Sequence, residues 1–321
     1  MAVSPALLCA IAARAADTEQ QRRLPADLAA EMAQAGLFRM LVPRAMGGGE
    51  VDVAAMFAVL EQLGRADAAT GWCVMIGGTT ALISAWLPEA HAREIWADPD
   101  VITGGVFAPM GRAAVDGDDY VVTGRWSWGS GSANCSWLLG GAVVTDGGEM
   151  QRLPGGGPDH RMMVMRRSEV ELIDTWDALG MRGTGSGDLA ASNVRVPRGR
   201  SVSFITDTPR ETGALYRFAP FGLLALGIAA VASGNVSVRS AICTRWLLPK
   251  RRRAAAAALA NAASCRPISP PPTPTWRPRA PLFMPKSPPR GMWWWPATRL
   301  TCRCTPACGL RQRALRRWRP G

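Results

Sequence analysis

The chain has 321 residues, of which 48% are hydrophobic, so it is long and apolar enough for two or three domains with buried cores. Its formal net charge of +12 is unevenly divided, because residues 1–211 hold 18 basic and all 25 acidic side chains, whereas residues 212–321 hold 19 basic side chains and no acidic one. Nucleic-acid binding, which a charge of +12 would suggest for the chain as a whole, therefore depends entirely on the second part.

The N-terminal residues favour a helix over an export signal. The apolar run Leu7–Ala12 is short, has no charged side chain before it, and continues into Asp17 and Glu19. No uninterrupted apolar run reaches the roughly 20 residues that span a bilayer, so no membrane partner is expected. The eight cysteines form no recognisable disulfide framework. We therefore expect a cytoplasmic protein with reduced thiols.

Residues 1–100 are predicted to form an α-helical domain. Ala-rich runs with Leu and Met at helical spacing alternate here with Gly and Pro breaks. The predicted helices cover Asp27–Ala35, Val53–Gly64, Gly71–Trp86 and Glu89–Trp96.

Residues 101–212 are predicted to form a middle β domain. Short β-prone runs separated by Gly-rich turns indicate a small antiparallel barrel or sandwich. The clearest strand is Tyr120–Gly124, and the other candidates are Ser136–Val144, Met162–Met165 and Val194–Val196.

Residues 213–245 again show a helical pattern, and Pro220–Ala232 is predicted to be a buried helix. Residues 246–321 are rich in Pro and Arg, lack apolar periodicity, and are predicted to be an aberrant, disordered basic tail. No metal site is expected there, because Cys302, Cys304 and Cys308 have no fourth ligand nearby.

The first segment that points to chemistry is Gly124–Trp137. A strand is expected to end near Trp128, after which Gly129, Ser130 and Gly131 bring hydroxyl and backbone N–H donors close together. Glycines allow close backbone approach, and a Trp face beside hydrogen-bond donors suits the isoalloxazine ring of a flavin. A Trp-rich hairpin inside a barrel core is the alternative, and composition alone favours it.

The second segment is Asp174–Asp188, in which Gly183, Gly185 and Gly187 alternate with polar side chains. Arg182 offers a positive charge for an anion. The segment lacks the Lys and the strand–turn–helix context of nucleotide-binding loops. A binding loop and a tight β-turn loop remain equal alternatives on these residues.

These segments form part of a longer series of short motifs. In order and spacing over most of the first 200 residues, the series resembles the acyl-CoA dehydrogenase superfamily of flavoproteins. The matching residues are Leu24-Pro25, Ala35–Phe38, Val42-Pro43, Gly47-Gly48, Glu61, Arg65–Asp67, Gly71-Trp72, Gly124, Trp128-x-Ser130, Leu179–Thr184 and Val194–Pro197. The resemblance implies an α+β fold of the acyl-CoA dehydrogenase type, with an N-terminal helical domain and a middle β-barrel, followed by a truncated or aberrant C-terminal helical domain.

The resemblance also implies a cofactor, FAD or reduced FMN, and residues that hold it. Trp128 would pack on the flavin ring, and Ser130 would hydrogen-bond near its reactive edge. Phe107 and Pro109 would line the other side of the ring.

Two branches of the superfamily are open: dehydrogenation of an acyl-CoA, and hydroxylation of a small aromatic or sulfur-containing substrate with reduced flavin from a separate reductase. The segments Ala69–Trp72, Trp126–Gly131 and Arg182–Ser186 resemble the hydroxylating branch more closely. Phe107–Ala113 lacks the Thr and Ser of the dehydrogenase flavin loop. A further loop is expected near the substrate or flavin, carrying Arg182, Thr184 and Ser186.

The catalytic residue stays unknown at this stage. The family's base, a Glu or a His, comes from the C-terminal domain, but Glu211 is the last carboxylate of the chain, and the only His residues are His91 and His160. A shift of reading frame between about Ser233 and Arg253 would explain this loss, and leaves open whether the chain is active. The family's homo-oligomer is then not expected. The rival interpretation is a non-enzymatic basic protein whose tail binds nucleic acid or acidic surfaces.

Overall fold

The computed structural model describes residues 2–238 and residue 240. Helices come first and strands second, as the sequence predicts. The helices are α1 Pro5–Gln21, α2 Ala26–Gln34, α3 Val53–Ala66, α4 Ala68–Thr80, α5 Glu89–Trp96 and α6 Pro220–Val238. The strands are β1 Thr103–Asp116, β2 Asp119–Trp126, β3 Trp137–Asp146, β4 Glu149–Met150, β5 His160–Arg166, β6 Glu171–Ile173, β7 Asp188–Pro197 and β8 Ser201–Val202. The predicted tail, residues 246–321, lies outside the described residues, and the boundaries at residues 100, 212 and 245 stay predictions.

Capping side chains that are local in sequence determine where three of the helices begin. Ser4 precedes α1 and its hydroxyl accepts the Leu7 N–H, with Pro5 in the first turn. Asp52 and Asp67 cap α3 and α4 in the same way. The predicted helix Gly71–Trp86 is shorter than expected, because α4 tightens into a 3-10 turn over Ala81–Ala85.

Helix α6 packs one face on the N-terminal helices. Its buried positions follow helical spacing: Leu223, Gly227, Ala230, Val231 and Gly234. A Cβ at Gly234 would lie 2.2 Å from the Glu61 carbonyl oxygen of α3, so the contact requires glycine. The prediction of a buried helix over Pro220–Ala232 is therefore wrong in part, since the other face exposes Phe221, Ile228 and Val236.

Two described helical segments are long and apolar enough to cross a membrane by length and composition. In Ala68–Ala85, 83% of the segment is buried inside the protein, whereas in Pro220–Val238 the buried share is 28%. The first is the core helix of the N-terminal domain, which passes such a test without any membrane.

The strands form one mixed sheet in the order β6-β7-β2-β1-β3-β5-β8, with β4 paired to β3. The expected antiparallel pairing is wrong at one position, because β1 and β3 run parallel. The chain returns from β2 to β3 by a loop, residues 127–136, rather than by a tight hairpin turn. That loop makes up most of the first candidate segment, Gly124–Trp137.

Strand β1 is the longest strand and was not predicted as one. Its Gly and Pro content obscures the β pattern, and its register with β3 shifts on both sides of Pro109. Gly111 of β1 is required by a tertiary contact that it shares with Gly124 of β2 and Gly140 of β3. The indole of Trp126 is fully buried, and a Cβ at Gly111, Gly124 or Gly140 would lie 2.4–2.8 Å from it. The Trp126 N–H donates to the Gly141 carbonyl over 2.7 Å.

Candidate functional site

Trp128 projects into solvent from the end of β2. In a regular strand Trp126 and Trp128 would point to the same side, but β2 ends at Trp126, and Trp128 has a φ of +68°. Trp126 is buried, whereas Trp128 is 73% exposed. A left-handed backbone is unfavourable for a bulky residue, and such outliers cluster at functional sites.

Backbone hydrogen bonds hold this conformation by joining the two candidate segments. The Gly129 N–H donates to the Gly187 carbonyl and the Gly131 N–H to the Thr184 carbonyl, each over 2.8 Å. The Ser130 N–H donates to the Trp128 carbonyl over 2.9 Å. The loop after β2 and the loop before β7 are therefore one structural unit.

Three side chains of this unit and one from α4 form a continuous hydrogen-bonded chain. The Trp72 indole N–H, from α4, donates to the Ser130 hydroxyl over 3.0 Å. The Ser130 and Ser186 hydroxyl oxygens are 2.7 Å apart, and those of Ser186 and Thr184 are 2.6 Å apart. The Thr184 hydroxyl donates to the Met181 carbonyl over 2.8 Å. Ser130, Ser186 and Thr184 are all buried.

The hydroxyl chain forms one wall of a pocket of about 360 Å³. The pocket is lined by three indoles, a thioether and three hydroxyls: Trp72, Trp128, Trp176, Met181, Ser130, Thr184 and Ser186. Trp176 is placed by its own N–H, which donates to the Met181 carbonyl over 3.1 Å, and by Arg22, whose guanidinium contacts the Trp176 carbonyl and the Asp174 carboxylate. Flat aromatic walls with a few convergent polar atoms suit a planar heteroaromatic ligand.

The pocket fits the ring of a flavin on two observations. The indole face of Trp128 is exposed and has no aromatic partner among the described ring contacts, so it is free to stack. Ser130, Thr184 and Ser186 line the same pocket, so three hydroxyl-bearing residues lie beside an apolar wall. None of the seven lining side chains titrates near neutral pH, so the pocket as described binds and orients.

Among the predicted site residues, Trp128, Ser130, Thr184 and Ser186 meet in this pocket, whereas three others do not line it. Phe107 stacks on Phe204 with ring centroids 5.9 Å apart. Pro109 is exposed at the irregular part of β1. The Arg182 guanidinium lies 3.7 Å from the Asp177 carboxylate.

Sequence reasoning assigned no role to Trp72, Trp176 or Met181. A signal was present for all three, because Trp72 belongs to the motif that matched on α4, and Trp176 and Met181 belong to the Asp174–Asp188 segment. Nothing in the sequence indicates that the Trp72 N–H reaches a hydroxyl 58 residues away.

Asp188, Cys73, Cys135 and His160 have pKa values that their surroundings shift. Hydrogen bonds from Arg125 and Thr175 lower the pKa of Asp188, which fastens the loop to β2. Burial raises the pKa of the Cys73 thiol, and that of Cys135 to about 12, so both remain protonated. Burial also lowers the pKa of His160, whose ring lies against the backbone of Phe107. In the described part of the chain, no group of three or more His, Cys, Asp or Glu residues could hold a metal.

Comparison with known proteins gives matches over this same region. Residues 8–94 match the family described as acyl-CoA dehydrogenase, N-terminal domain. The oxygenase subunit HsaA of a flavin-dependent monooxygenase from Mycobacterium tuberculosis is 34% identical over 211 residues, which are 65% of this chain and 52% of that protein. An indole-3-acetate monooxygenase from Pseudomonas putida is 31% identical over 247 residues, covering 71% of this chain and 61% of its own length.

Solved structures show the same relationship. The crystal structure of HsaA from M. tuberculosis superposes with a TM-score of 0.70 at 30% identity, over 81% of this chain and 69% of that one. XiaF from a Streptomyces species, solved in complex with FADH2 and glycerol, gives a TM-score of 0.65 at 27% identity, over 73% of this chain and 60% of its own. The chain spans about half the length of the curated relatives that it matches most strongly.

Proposed function

Because the chain belongs to the acyl-CoA dehydrogenase superfamily, we propose that its Trp128 pocket binds a flavin, FAD or reduced FMN, and that the protein is a flavin-dependent oxidoreductase of the hydroxylating branch. The observation that supports this most strongly is the exposed indole face of Trp128 in a pocket that Ser130 also lines. The relatives named for monooxygenase activity support the branch.

Each part of the pocket has a defined task in this proposal. The Trp128 face stacks on the flavin ring, and the Ser130 hydroxyl fixes its polar edge. Trp72, Trp176 and Met181 exclude water from the reacting edge. If reduced flavin binds in this pocket, it would supply the two electrons with which dioxygen gives one oxygen atom to the substrate and the other to water.

The proposed substrate is a small aromatic compound, since indole walls favour a second flat ring. A separate flavin reductase is the proposed partner, because the HsaA relative is named as an oxygenase subunit. We place the protein in the cytoplasm, where reduced nicotinamide cofactors supply such reductases. Phe107 and Pro109 remain proposed flavin contacts, and Arg182 a proposed contact of flavin or substrate.

Flavin titration followed by turnover tests the proposal. The purified full chain is titrated without oxygen with reduced FAD and reduced FMN, and is then exposed to oxygen with a panel of phenols and indoles. Binding of reduced flavin and a product that has gained one oxygen atom are expected.

Two other outcomes would overturn it. Reduction of bound oxidised flavin by an acyl-CoA would indicate the dehydrogenase branch. Absence of flavin binding, together with salt-sensitive binding of polyanions, would favour the basic-protein alternative.

A further inference from the structure

The segment between β6 and the 3-10 turn Arg182–Thr184 forms one side of the Trp128 pocket. Residues 174–181 contribute Trp176 and Met181 to its lining. The Trp176 indole N–H donates to the Met181 carbonyl over 3.1 Å, so these two wall residues are joined to each other. Movement of this segment therefore displaces both residues and opens the pocket on that side.

Few contacts hold residues 174–181 on the rest of the protein. Six of the eight residues are exposed, and the side chain of Leu179 is fully exposed. The Thr175 hydroxyl donates to the Asp188 carboxylate over 2.9 Å, but this bond lies at the start of the segment and within the β domain. Segments with few buried contacts open at a low cost in free energy.

Arg22, the residue that ends α1, ties this segment to the helical domain. Its guanidinium N–H groups donate to both oxygens of the Asp174 carboxylate, over 3.1 and 2.5 Å, and also to the Trp176 carbonyl. In the part of the chain that the structure describes, no other residue of the N-terminal helices forms a hydrogen bond with residues 174–181. A planar guanidinium can serve these acceptors together at fixed angles, which the ammonium group of a lysine cannot.

The residues that follow the segment lie much closer to α1. A Cβ at Gly183 would lie 2.4 Å from the Thr18 side chain, and a Cβ at Gly185 would lie 2.9 Å from the Arg22 carbonyl oxygen. The turn that carries these glycines therefore has no room to move towards α1. Arg22 thus lies where a tightly packed loop meets a loosely held pocket wall.

We propose that Arg22 is a positioning residue whose guanidinium latches residues 174–181 over the Trp128 pocket, and that release of this latch controls the exchange of flavin. This rests on the function proposed above. A flavin that is reduced by a separate protein has to enter the pocket, and the oxidised form has to leave it, so the pocket must open repeatedly. Because the latch joins two parts of the protein and requires no ligand, it delays entry and release alike.

The test compares Arg22→Met with Arg14→Met in the full chain. Methionine keeps a long apolar side chain and removes the hydrogen-bond donors. Arg14 is the matched control, because it lies in α1, pairs with Asp27 and does not line the pocket. The exposed fractions of the two side chains are 34% and 70% in the Arg14–Asp27 pair and 32% and 72% in the Arg22–Asp174 pair.

Two properties are measured, with circular dichroism as the folding control. Amide hydrogen exchange of residues 174–181 is followed in protein without flavin. Association and dissociation rates of reduced FAD are followed by anaerobic stopped flow.

In Arg22→Met we expect the amide exchange of residues 174–181 and both flavin rates to rise about three- to tenfold, with Kd within about twofold of the wild type. Arg14→Met should keep the wild-type values. Asp174→Ala leaves the bond from Arg22 to the Trp176 carbonyl, so it should give a smaller rise in the same measurements. Asp174→Ala also replaces Arg22→Met as the test if that variant folds poorly.

Equal amide exchange of residues 174–181 in the wild type and Arg22→Met would overturn the latch and leave the flavin site standing. A faster dissociation with an unchanged association rate would also overturn it, because Arg22 would then strengthen flavin binding rather than delay exchange. Failure of the wild type to bind flavin would overturn the proposed function and, with it, the control of flavin exchange.

Discussion

The indole N–H of Trp72 in α4 donates to the hydroxyl of Ser130 in the loop after β2 over 3.0 Å. This bond links the N-terminal helices to the β domain at the wall of the candidate flavin pocket. It also orients the one hydroxyl that was predicted to meet the cofactor.

Removal of this N–H should weaken flavin binding without removing an aromatic wall. In Trp72→Phe the Ser130 hydroxyl loses a directional partner, so reduced flavin should bind about two- to tenfold more weakly in an anaerobic titration. Trp96→Phe is the matched control, because the Trp96 indole N–H has no hydrogen-bond partner and Trp96 does not line the pocket. Equal losses in the two variants would contradict a specific role for Trp72.

Replacement of Trp128 should change the stability of the fold and the affinity for flavin in different ways. In Trp128→Gly the left-handed backbone is relieved and an exposed side chain is lost, so the free energy of unfolding should stay equal or rise by about 1 kcal/mol. Flavin affinity should fall by at least about tenfold, because the stacking face is gone. Denaturant titration and flavin titration measure the two effects. A large destabilisation with unchanged affinity would show that the strained tryptophan serves the fold instead.

Asp188 should give the loop an acid-sensitive attachment. Hydrogen bonds from Arg125 and Thr175 lower the pKa of Asp188 in the folded protein. The contribution of its carboxylate to the free energy of unfolding is therefore complete above the pKa of the unfolded chain, about 3.9, and is lost as the pH falls through the lower pKa of the folded protein. Asp188→Asn should lower the free energy of unfolding by about 1 kcal/mol at pH 7. The difference in this free energy between the variant and the wild type should shrink below about pH 4. Denaturation at pH 7 and pH 3 measures this. A difference that persists unchanged at pH 3 would exclude the charge as its source.

The packing of α6 on α3 should depend on Gly234. A Cβ there would lie 2.2 Å from the Glu61 carbonyl oxygen, so Gly234→Ala should destabilise the chain by about 1–3 kcal/mol. Gly222→Ala, in the same helix, meets the movable ring of Phe218 at 3.0 Å and gains helix propensity. Thermal unfolding should therefore separate the two variants, with Gly222→Ala at least as stable as the wild type. Similar losses in both would mean that α6 is not held by this contact.

The sequence predicts the helices well where capping and periodicity are local, as at Ser4, Asp52 and Asp67. It fails for β1, because three glycines and a proline obscure the β pattern of the strand, and one of these glycines, Gly111, makes room for the Trp126 indole. It also fails for the exposed face of α6, because a helix of apolar residues does not reveal which faces acquire neighbours.

The candidate site was likewise predicted only in part from the sequence. Trp128, Ser130, Thr184 and Ser186 were found through short motifs that resemble those of a family. Their hydrogen-bonded chain to Trp72 was not predicted, since the partners lie 56 and 58 residues apart in sequence and only the fold brings them together.

The flavin site is tested most directly by a crystal structure of the full chain with reduced FAD. The flavin ring is expected to stack on the Trp128 indole, with its N5 edge within hydrogen-bond distance of the Ser130 hydroxyl oxygen. A flavin bound elsewhere, such as the cavity of about 580 Å³ between Met110 and Met150 on the β domain, with the Trp128 pocket empty, would contradict the assignment.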